Sequence, residues 1–383
     1  MTHRREAQLT LRFLLIALAL AVAGPRAAAL LEFHEGREKI DVNATYGISY
    51  DSNIYAHAGS AGDFNQSLSL STSYTRRSGL IGLNTSLSVT TARFDKYNSE
   101  DFTNPAASLS LTKSKGRLTG LASVSVKRES RSDDAVNMRL QSWNYGSSLT
   151  LRYPVNDRYY FTSGTDFSFR DYTQKTSLFN LSSIAEAIDL YYVYTSKLDF
   201  MAGYRIRSGD ADGGSHTLDH SVSLGATGGI LPKLTGSVSC GYQWRRQSTD
   251  YGGNYDALTT TASLAWPMTR QIAFNFQASK DFATTATDTS VDSTSFSLST
   301  SFKPNLKLKL ASHLKATHTD SVFLGTRGAG RKDENWLFET GLTFPLTKHL
   351  AGSISYGYST NNSDIAYSHY GRHSASFNLT AHF

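Results

Sequence analysis

Along most of the chain, apolar and polar side chains take alternate positions, the period of a strand with one greasy and one wet face. The last ten residues carry it plainly, with Ala375, Phe377, Leu379, Ala381 and Phe383 on one parity and Ser374, Ser376, Asn378, Thr380 and His382 on the other. From residue 40 onward such segments recur to the end, about eighteen of them and each roughly ten residues long. Ile40–Tyr50 places Val42, Ala44, Tyr46, Ile48 and Tyr50 together, and later segments repeat the pattern around Leu149/Leu151/Tyr153, Phe161/Phe167/Phe169, Tyr242/Trp244 and Ile354/Tyr356/Tyr358. The pattern predicts strands throughout and no helix.

The connections alternate too. Short turns follow every second segment, among them Lys113-Ser114-Lys115-Gly116, Pro154-Val155-Asn156-Asp157 and Pro345-Leu346-Thr347-Lys348. Longer polar stretches follow the others: Asp51 to Asn65, Ser208 to Thr217, Gln247 to Asp256, Thr319 to Glu334 and Ser359 to Gly371. Several short turns come directly after an aromatic, as in Tyr153-Pro154, Trp266-Pro267 and Phe344-Pro345. Aromatics at that level suit a membrane-surface girdle, and proline there ends a strand without leaving an unpaired donor in lipid.

A spanning structure must satisfy every backbone group internally, which a closed barrel does and an open sheet does not. The expectation is an all-β fold: a single transmembrane antiparallel up-and-down β-barrel of 16–18 strands over residues 40–383. In such barrels short turns face the periplasm and long loops face outward, so an even strand count puts both termini in the periplasm. A soluble sandwich would not carry so many similar strands without a domain break.

The start of the chain agrees. Arg4, Arg5 and Arg12 precede the apolar run Phe13–Gly24, and Ala27-Ala28-Ala29 offers a small-residue cleavage site, so residues 1–29 read as a cleaved signal peptide. The apolar run is shorter than a spanning helix requires. Residues 30–39 are then a short periplasmic N-terminal segment, too small for a plug domain.

Composition supports strands. The chain is 39% hydrophobic and 18% charged, which a hydropathy window would take for a soluble protein, yet in strand-built membrane proteins only every second residue meets lipid. The formal charge is +6, but four arginines against one glutamate in residues 1–29 account for +3 of it, leaving +3, too mild to suggest nucleic-acid binding. Cys240 is the one cysteine, so no intramolecular disulfide forms, and its parity makes it a small outward hydrophobe.

With the aromatic parity facing lipid, the opposite parity faces the lumen. It carries Lys127, Asp166, Arg170, Arg205, Arg207, Gln243, Arg245, Lys307, Lys309, His313, Lys315 and Glu339, a mixed wall with a local cationic column at Lys307/Lys309/Lys315. On the lipid side such cations would cost roughly 2–4 kcal/mol at midplane. The column either attracts an anionic solute or pairs with carboxylates on neighbouring strands. No Gly-x-Ser-x-Gly, His-Glu-x-x-His or clustered metal-ligand spacing appears, so neither catalysis, metal nor cofactor is expected.

One region is more specific. Tyr46-Gly47-Ile48-Ser49-Tyr50-Asp51-Ser52-Asn53-Ile54-Tyr55, followed by Asn65–Tyr74 and Phe94-Asp95-Lys96-Tyr97, resembles the putative β-barrel porin 2 family. The resemblance implies an outer-membrane barrel of exopolysaccharide or capsule systems, an export pore for the polymer that works with a separate periplasmic polysaccharide-export protein. It carries no catalytic motif, and Asp51 and Asn53 also suit a turn. A terminal aromatic such as Phe383 resembles the signal read by the barrel-assembly machinery. The expected setting is outer-membrane lipid and lipopolysaccharide. Three roles stand open: a polymer export pore, a general or anion-preferring diffusion porin for small solutes, and a non-transporting surface or adhesion barrel.

Overall fold

The computed structural model describes residues 31–33, 37–77, 79–173, 178–248, 253–304, 310–324 and 330–383. Residues 1–30, which include the expected signal segment, lie outside the described residues. The strands are β1 (Leu31–Phe33), β2 (Glu38–Asp51), β3 (Asp63–Arg76), β4 (Gly82–Phe94), β5 (Phe102–Lys113), β6 (Thr119–Asp133), β7 (Met138–Pro154), β8 (Tyr159–Tyr172), β9 (Leu181–Val193), β10 (Leu198–Ala211), β11 (His216–Leu231), β12 (Leu234–Ser248), β13 (Asn254–Trp266), β14 (Ile272–Thr284), β15 (Ser290–Phe302), β16 (Ala311–Phe323), β17 (Lys332–Pro345), β18 (Leu350–Ser363) and β19 (Tyr370–His382).

From β2 to β19 each strand pairs antiparallel with its sequence neighbours, and β19 pairs with β2, Ser374 opposite Asp51 down to His382 opposite Asn43. The eighteen strands β2–β19 thus form a closed up-and-down barrel, as expected. At the end carrying the termini, Val42 N–H donates to the Phe383 carbonyl at 3.0 Å and Phe383 N–H to the Val42 carbonyl at 2.8 Å. Below that point the edge of β2 released by β19 is taken by β1, Leu31 opposite Ile40.

Strand register puts one parity outside all round. Leu70, Leu87, Val124, Ile184, Ile188, Val222, Leu224, Leu258, Leu298, Leu314 and Ile354 are all exposed, which for a soluble protein would be a prohibitive apolar belt and for lipid is the required one. Aromatics border it. Tyr153, Tyr159, Trp266 and Phe302 stand at the short-turn end, exposed, where the sequence places a girdle; Trp143, Tyr242, Trp244 and Trp336 stand towards the other, with Trp336 stacked on Phe338 at 6.0 Å.

The longer connections are shorter than the sequence suggests. Ser208–Ala211 still belong to β10 and His216 opens β11, and Thr319–Phe323 continue β16. Polar residues at these strand ends sit above the apolar belt, where ladder hydrogen bonds rather than lipid contact hold them, so alternation fades before the strand does.

Candidate functional site

The inner face is identified by contacts that no outer face could make. Arg205 Nη2 on β10 donates to Asp281 Oδ1 and Oδ2 on β14 at 2.9 and 3.0 Å, and Arg207 Nη1 reaches Asp281 Oδ2 at 3.1 Å. Both arginines share their parity with Gly203 and oppose the outward Tyr204 and Ile206, whose partners on β9 are Ile188 and Glu186. Arg207 also donates through Nε and Nη2 to Asp219 Oδ2 at 2.8 and 2.6 Å. Arg245 on β12 completes the web, with Nε to Asp219 Oδ1 at 2.7 Å and Nη2 to Asp219 Oδ2 at 2.8 Å.

Two structures cross the mouth opposite the termini. First, the tip of the β14–β15 hairpin leans inward. The β13–β14 ladder runs from Trp266/Phe274 to Thr260/Lys280 and stops, while β14 and β15 stay paired to Thr284/Ser290. Beyond the stop, Arg207 Nη2 donates to the Phe282 carbonyl at 2.7 Å, and Arg245 Nη1 to the Ala283 carbonyl at 2.9 Å and Ser290 Oγ at 3.1 Å. Ser215 N–H, in the β10–β11 turn, donates to Asp288 Oδ2 at 3.0 Å, and the Ser215 hydroxyl donates to Asp288 Oδ1. The tip reaches the far wall: Phe179 N–H donates to the Ala286 carbonyl at 2.9 Å, and Ala286 packs with Leu140 of β7 and Tyr172 of β8.

Second, the β6–β7 turn meets the ends of β17–β19. Arg331 donates to the Asp134 and Ala135 carbonyls, both at 3.0 Å, and Tyr370 OH to Asp134 Oδ1 at 2.7 Å. Asn137 donates to the Ala56 carbonyl at 2.7 Å and accepts from Ser368 Oγ at 2.5 Å. Arg372 adds Ser132 Oγ at 2.8 Å while its Nε grips Asp51 at 2.9 and 3.1 Å. Burial raises the Asp134 carboxyl above its ordinary range, against the hydrogen bond from Tyr370, which lowers it.

Against the β14–β15 hairpin, between Phe282–Thr284 and the wall of β6–β12, lies a cavity of about 400 Å³. Lys127, Arg170, Arg207 and Arg245 line it, with Asp210 as the one carboxylate of the lining and with Ser125, Asn144, Ser168, Ser182 and Ser183 supplying hydroxyls and an amide. Asp219 is buried with Arg245, at 3% and 2% exposed, whereas Arg207 is 20% exposed and its second partner Asp281 31%. Arg170 is held by neutral acceptors, Asn144 Oδ1 at 2.6 Å and Tyr172 OH at 3.4 Å; among the described residues it makes no ion pair. Lys127 pairs with Glu129 at 2.6 Å.

The residues singled out from the sequence fall accordingly. Lys127, Arg170, Arg207 and Arg245 meet at the cavity, and Arg205 stands beside them on Asp281. Gln243 is fully buried two residues below Arg245. Asp166 is exposed lower on β8 with the same parity as Arg170. His313, Lys315 and Glu339 lie on β16 and β17, remote from the cavity, and Lys315 pairs across the ladder with Glu339 at 3.3 Å, so the neighbour-pairing alternative holds for that lysine. Lys307 and Lys309 lie outside the described residues. Sequence reasoning missed Asp219, Asp288, Asp134 and Asn137. Asp219 was legible, since it shares the parity opposite to Val222 and Leu224; the other three sit in turns, where no period marks them.

The family model described as putative beta-barrel porin 2 matches residues 219–383, from within β11 to the end of the chain. The family is the one the sequence resembles, but the match falls on the C-terminal strands rather than on the Tyr46–Tyr97 region that suggested it. No curated protein matches the chain. Among solved structures, Pseudomonas aeruginosa OccK2 (OpdF) in complex with glucuronate is similar at 14% identity, TM-score 0.50, over 90% of this chain and 98% of that one. Pseudomonas aeruginosa OpdO follows at 12% and 0.49, over 90% and 97%, and Acinetobacter baumannii OccAB4 at 14% and 0.46, over 90% and 98%. At these identities the likeness speaks to the fold alone. The closed barrel, its apolar belt and the family match make the chain an integral β-barrel of porin type in the outer membrane of a Gram-negative bacterium, similar over residues 219–383 to putative beta-barrel porin 2.

Proposed function

We propose that the protein is a diffusion pore for small solutes with a preference for anions. The observation that carries this is the cavity beside the β14–β15 hairpin, whose lining includes four cationic residues, Lys127, Arg170, Arg207 and Arg245, and a single carboxylate, Asp210. A cationic wall in a narrow wet passage lowers the energy of an anion there and raises that of a cation. Hydroxyls and amides beside the guanidiniums offer exchangeable hydrogen bonds to a hydrated solute.

In this reading Lys127, Arg170, Arg205, Arg207 and Arg245 line the conducting path near the mouth, and Asp166, His313, Lys315 and Glu339 line it lower down, with Lys307 and Lys309 assigned there by parity. The end that carries the short turns and both termini faces the periplasm, residues 1–29 are the removed signal, and Phe383 is the assembly signal.

Export of a polysaccharide, the role implied by the family resemblance, has less support. A polymer threads as a continuous chain, and both bridges lie across its path; the periplasmic export partner falls away with that role.

Liposome swelling with purified protein separates the two pores. Small hydroxylated acids and amino acids are expected to enter and uronic-acid oligosaccharides to be excluded. Equal entry of the oligosaccharides would overturn the small-solute assignment.

A further inference from the structure

We propose that the inward tip of the β14–β15 hairpin is a gate, which opens by zipping β14 back onto β13. The first observation is an unfinished ladder. Above Thr260/Lys280, residues Asn254–Thr259 of β13 keep their pairing to β12 but have no strand partner on the other side among the described residues, an open strand edge that barrels otherwise abolish. β14 continues past this point with the register needed to fill it: Thr259 would face Asp281, Leu258 would face Phe282 and Ala257 would face Ala283. Thr259 Oγ1 already holds the Lys280 carbonyl at 3.0 Å, at the fork.

Side-chain chemistry fits both positions. Phe282 has outward parity, and zipping would set it beside Leu258 in the apolar belt, where Leu258 is 60% exposed. In the inward position Phe282 lies instead under the Arg245 guanidinium, 5.2 Å from its ring centre. The inward position is held by polar contacts to β10, β12 and the β10–β11 turn, from Asp281, the Phe282 and Ala283 carbonyls, Asp288 and Ser290, and at its tip by Ala286 packed on Leu140 and Tyr172. Such contacts exchange for water at modest net cost.

The second observation is a polar group stranded by the inward position. Gln243 is fully buried, and neither its Nε2 nor its Oε1 has a hydrogen-bond partner. It stands on the inner face of β12, opposite Ser221 of β11 and Ala257 of β13 and two residues from Arg245, which donates to the hairpin at Ala283 and Ser290. Removing the hairpin would expose the amide, widen the passage and free Arg207 and Arg245 for solute. The inward form therefore carries a penalty that the outward form does not, the condition for two states close in free energy.

Paired cysteines in a Cys240→Ser background test the gate in planar bilayers, with disulfide formation read on gels. Ala257→Cys/Ala283→Cys is expected to form a disulfide in the folded barrel and raise single-channel conductance, reversibly with reductant. Ser215→Cys/Asp288→Cys is expected to lock the tip inward and lower it. Gln243→Leu, which removes the stranded amide, is expected to shift the open-to-closed ratio roughly tenfold towards closed. If Ala257→Cys/Ala283→Cys stays reduced in a barrel that keeps its heat-modifiable mobility, β14 does not return to β13 and the proposal is wrong; a disulfide without change in conductance overturns it equally. Because cross-linking is read without reference to solute charge, failure here is distinct from failure of the anion preference.

Discussion

Asp219 on β11 accepts two hydrogen bonds from Arg245 on the adjacent β12, at 2.7 and 2.8 Å, with both side chains 2–3% exposed. One carboxylate here fixes the plane of one arginine and, through Oδ2, the reach of Arg207 as well. A second carboxylate, Asp281, pairs with Arg205 and Arg207 and is 31% exposed, so one counter-charge is buried with Arg245 and the other stands partly open beside the remaining two arginines.

Asp219→Asn keeps the volume and removes the charge. Breaking a buried pair while leaving its cations in place typically costs about 3 kcal/mol or more, so the barrel is expected to unfold from lipid vesicles at clearly lower urea. A change within error would mean that the web is solvated and contributes little.

Arg170 is the cation of the cavity held by neutral groups alone among the described residues. Arg170→Glu places a carboxylate there and is expected to lower the anion-to-cation permeability ratio roughly tenfold, two unit charges acting through partly wet surroundings. Lys315→Glu, at a lysine already paired with Glu339 far from the cavity, is expected to change the ratio much less. Equal effects of the two would show that the cavity does not set selectivity.

The β6–β7 bridge depends on acid. Burial raises the Asp134 carboxyl above its ordinary value of 3.8, with Asp133 and Asp333 adding to the rise and Tyr370 and Arg372 opposing it. The bridged mouth therefore binds a proton more readily than the free turn. Bridging is fully favoured below the ordinary value and weakens as pH climbs through the raised one. Conductance is expected to fall on acidification in the wild type and to lose that dependence in Asp134→Asn. A wild-type profile that rises on acidification would contradict the sign.

Removing Phe383 deletes both hydrogen bonds it exchanges with Val42 at the seam, each worth about 1 kcal/mol, along with the proposed assembly signal. Refolding in detergent should survive, while the heat-modifiable barrel recovered from cells should drop sharply. Normal recovery would remove the assembly role from Phe383.

The wall was legible in the sequence and the mouth was not. Two-residue periodicity marks a side chain that must choose between lipid and water, so Tyr242, Ile354 and Phe377 announced their strands, while Arg205, Arg207 and Arg245 fall on the opposite parity. Nothing periodic tells that β14 leaves β13 after Lys280, because Asp281 and Phe282 keep the alternation they would have in the wall. The inward lean depends on partners far along the chain, such as Ser215 for Asp288 and Leu140 for Ala286. The long-connection reading failed for a related cause: Ser208 and Asp210 put polar side chains on the parity of Tyr204 and Ile206, yet the ladders carry the chain to Ala211 at the end of β10.

The reversal potential of the purified protein in a planar bilayer under a potassium chloride gradient tests the central assignment most directly. A potential on the chloride side, shifted towards potassium by Arg170→Glu, is what the four cations of the cavity lining require. A potassium-selective wild type, or one without preference, would contradict it.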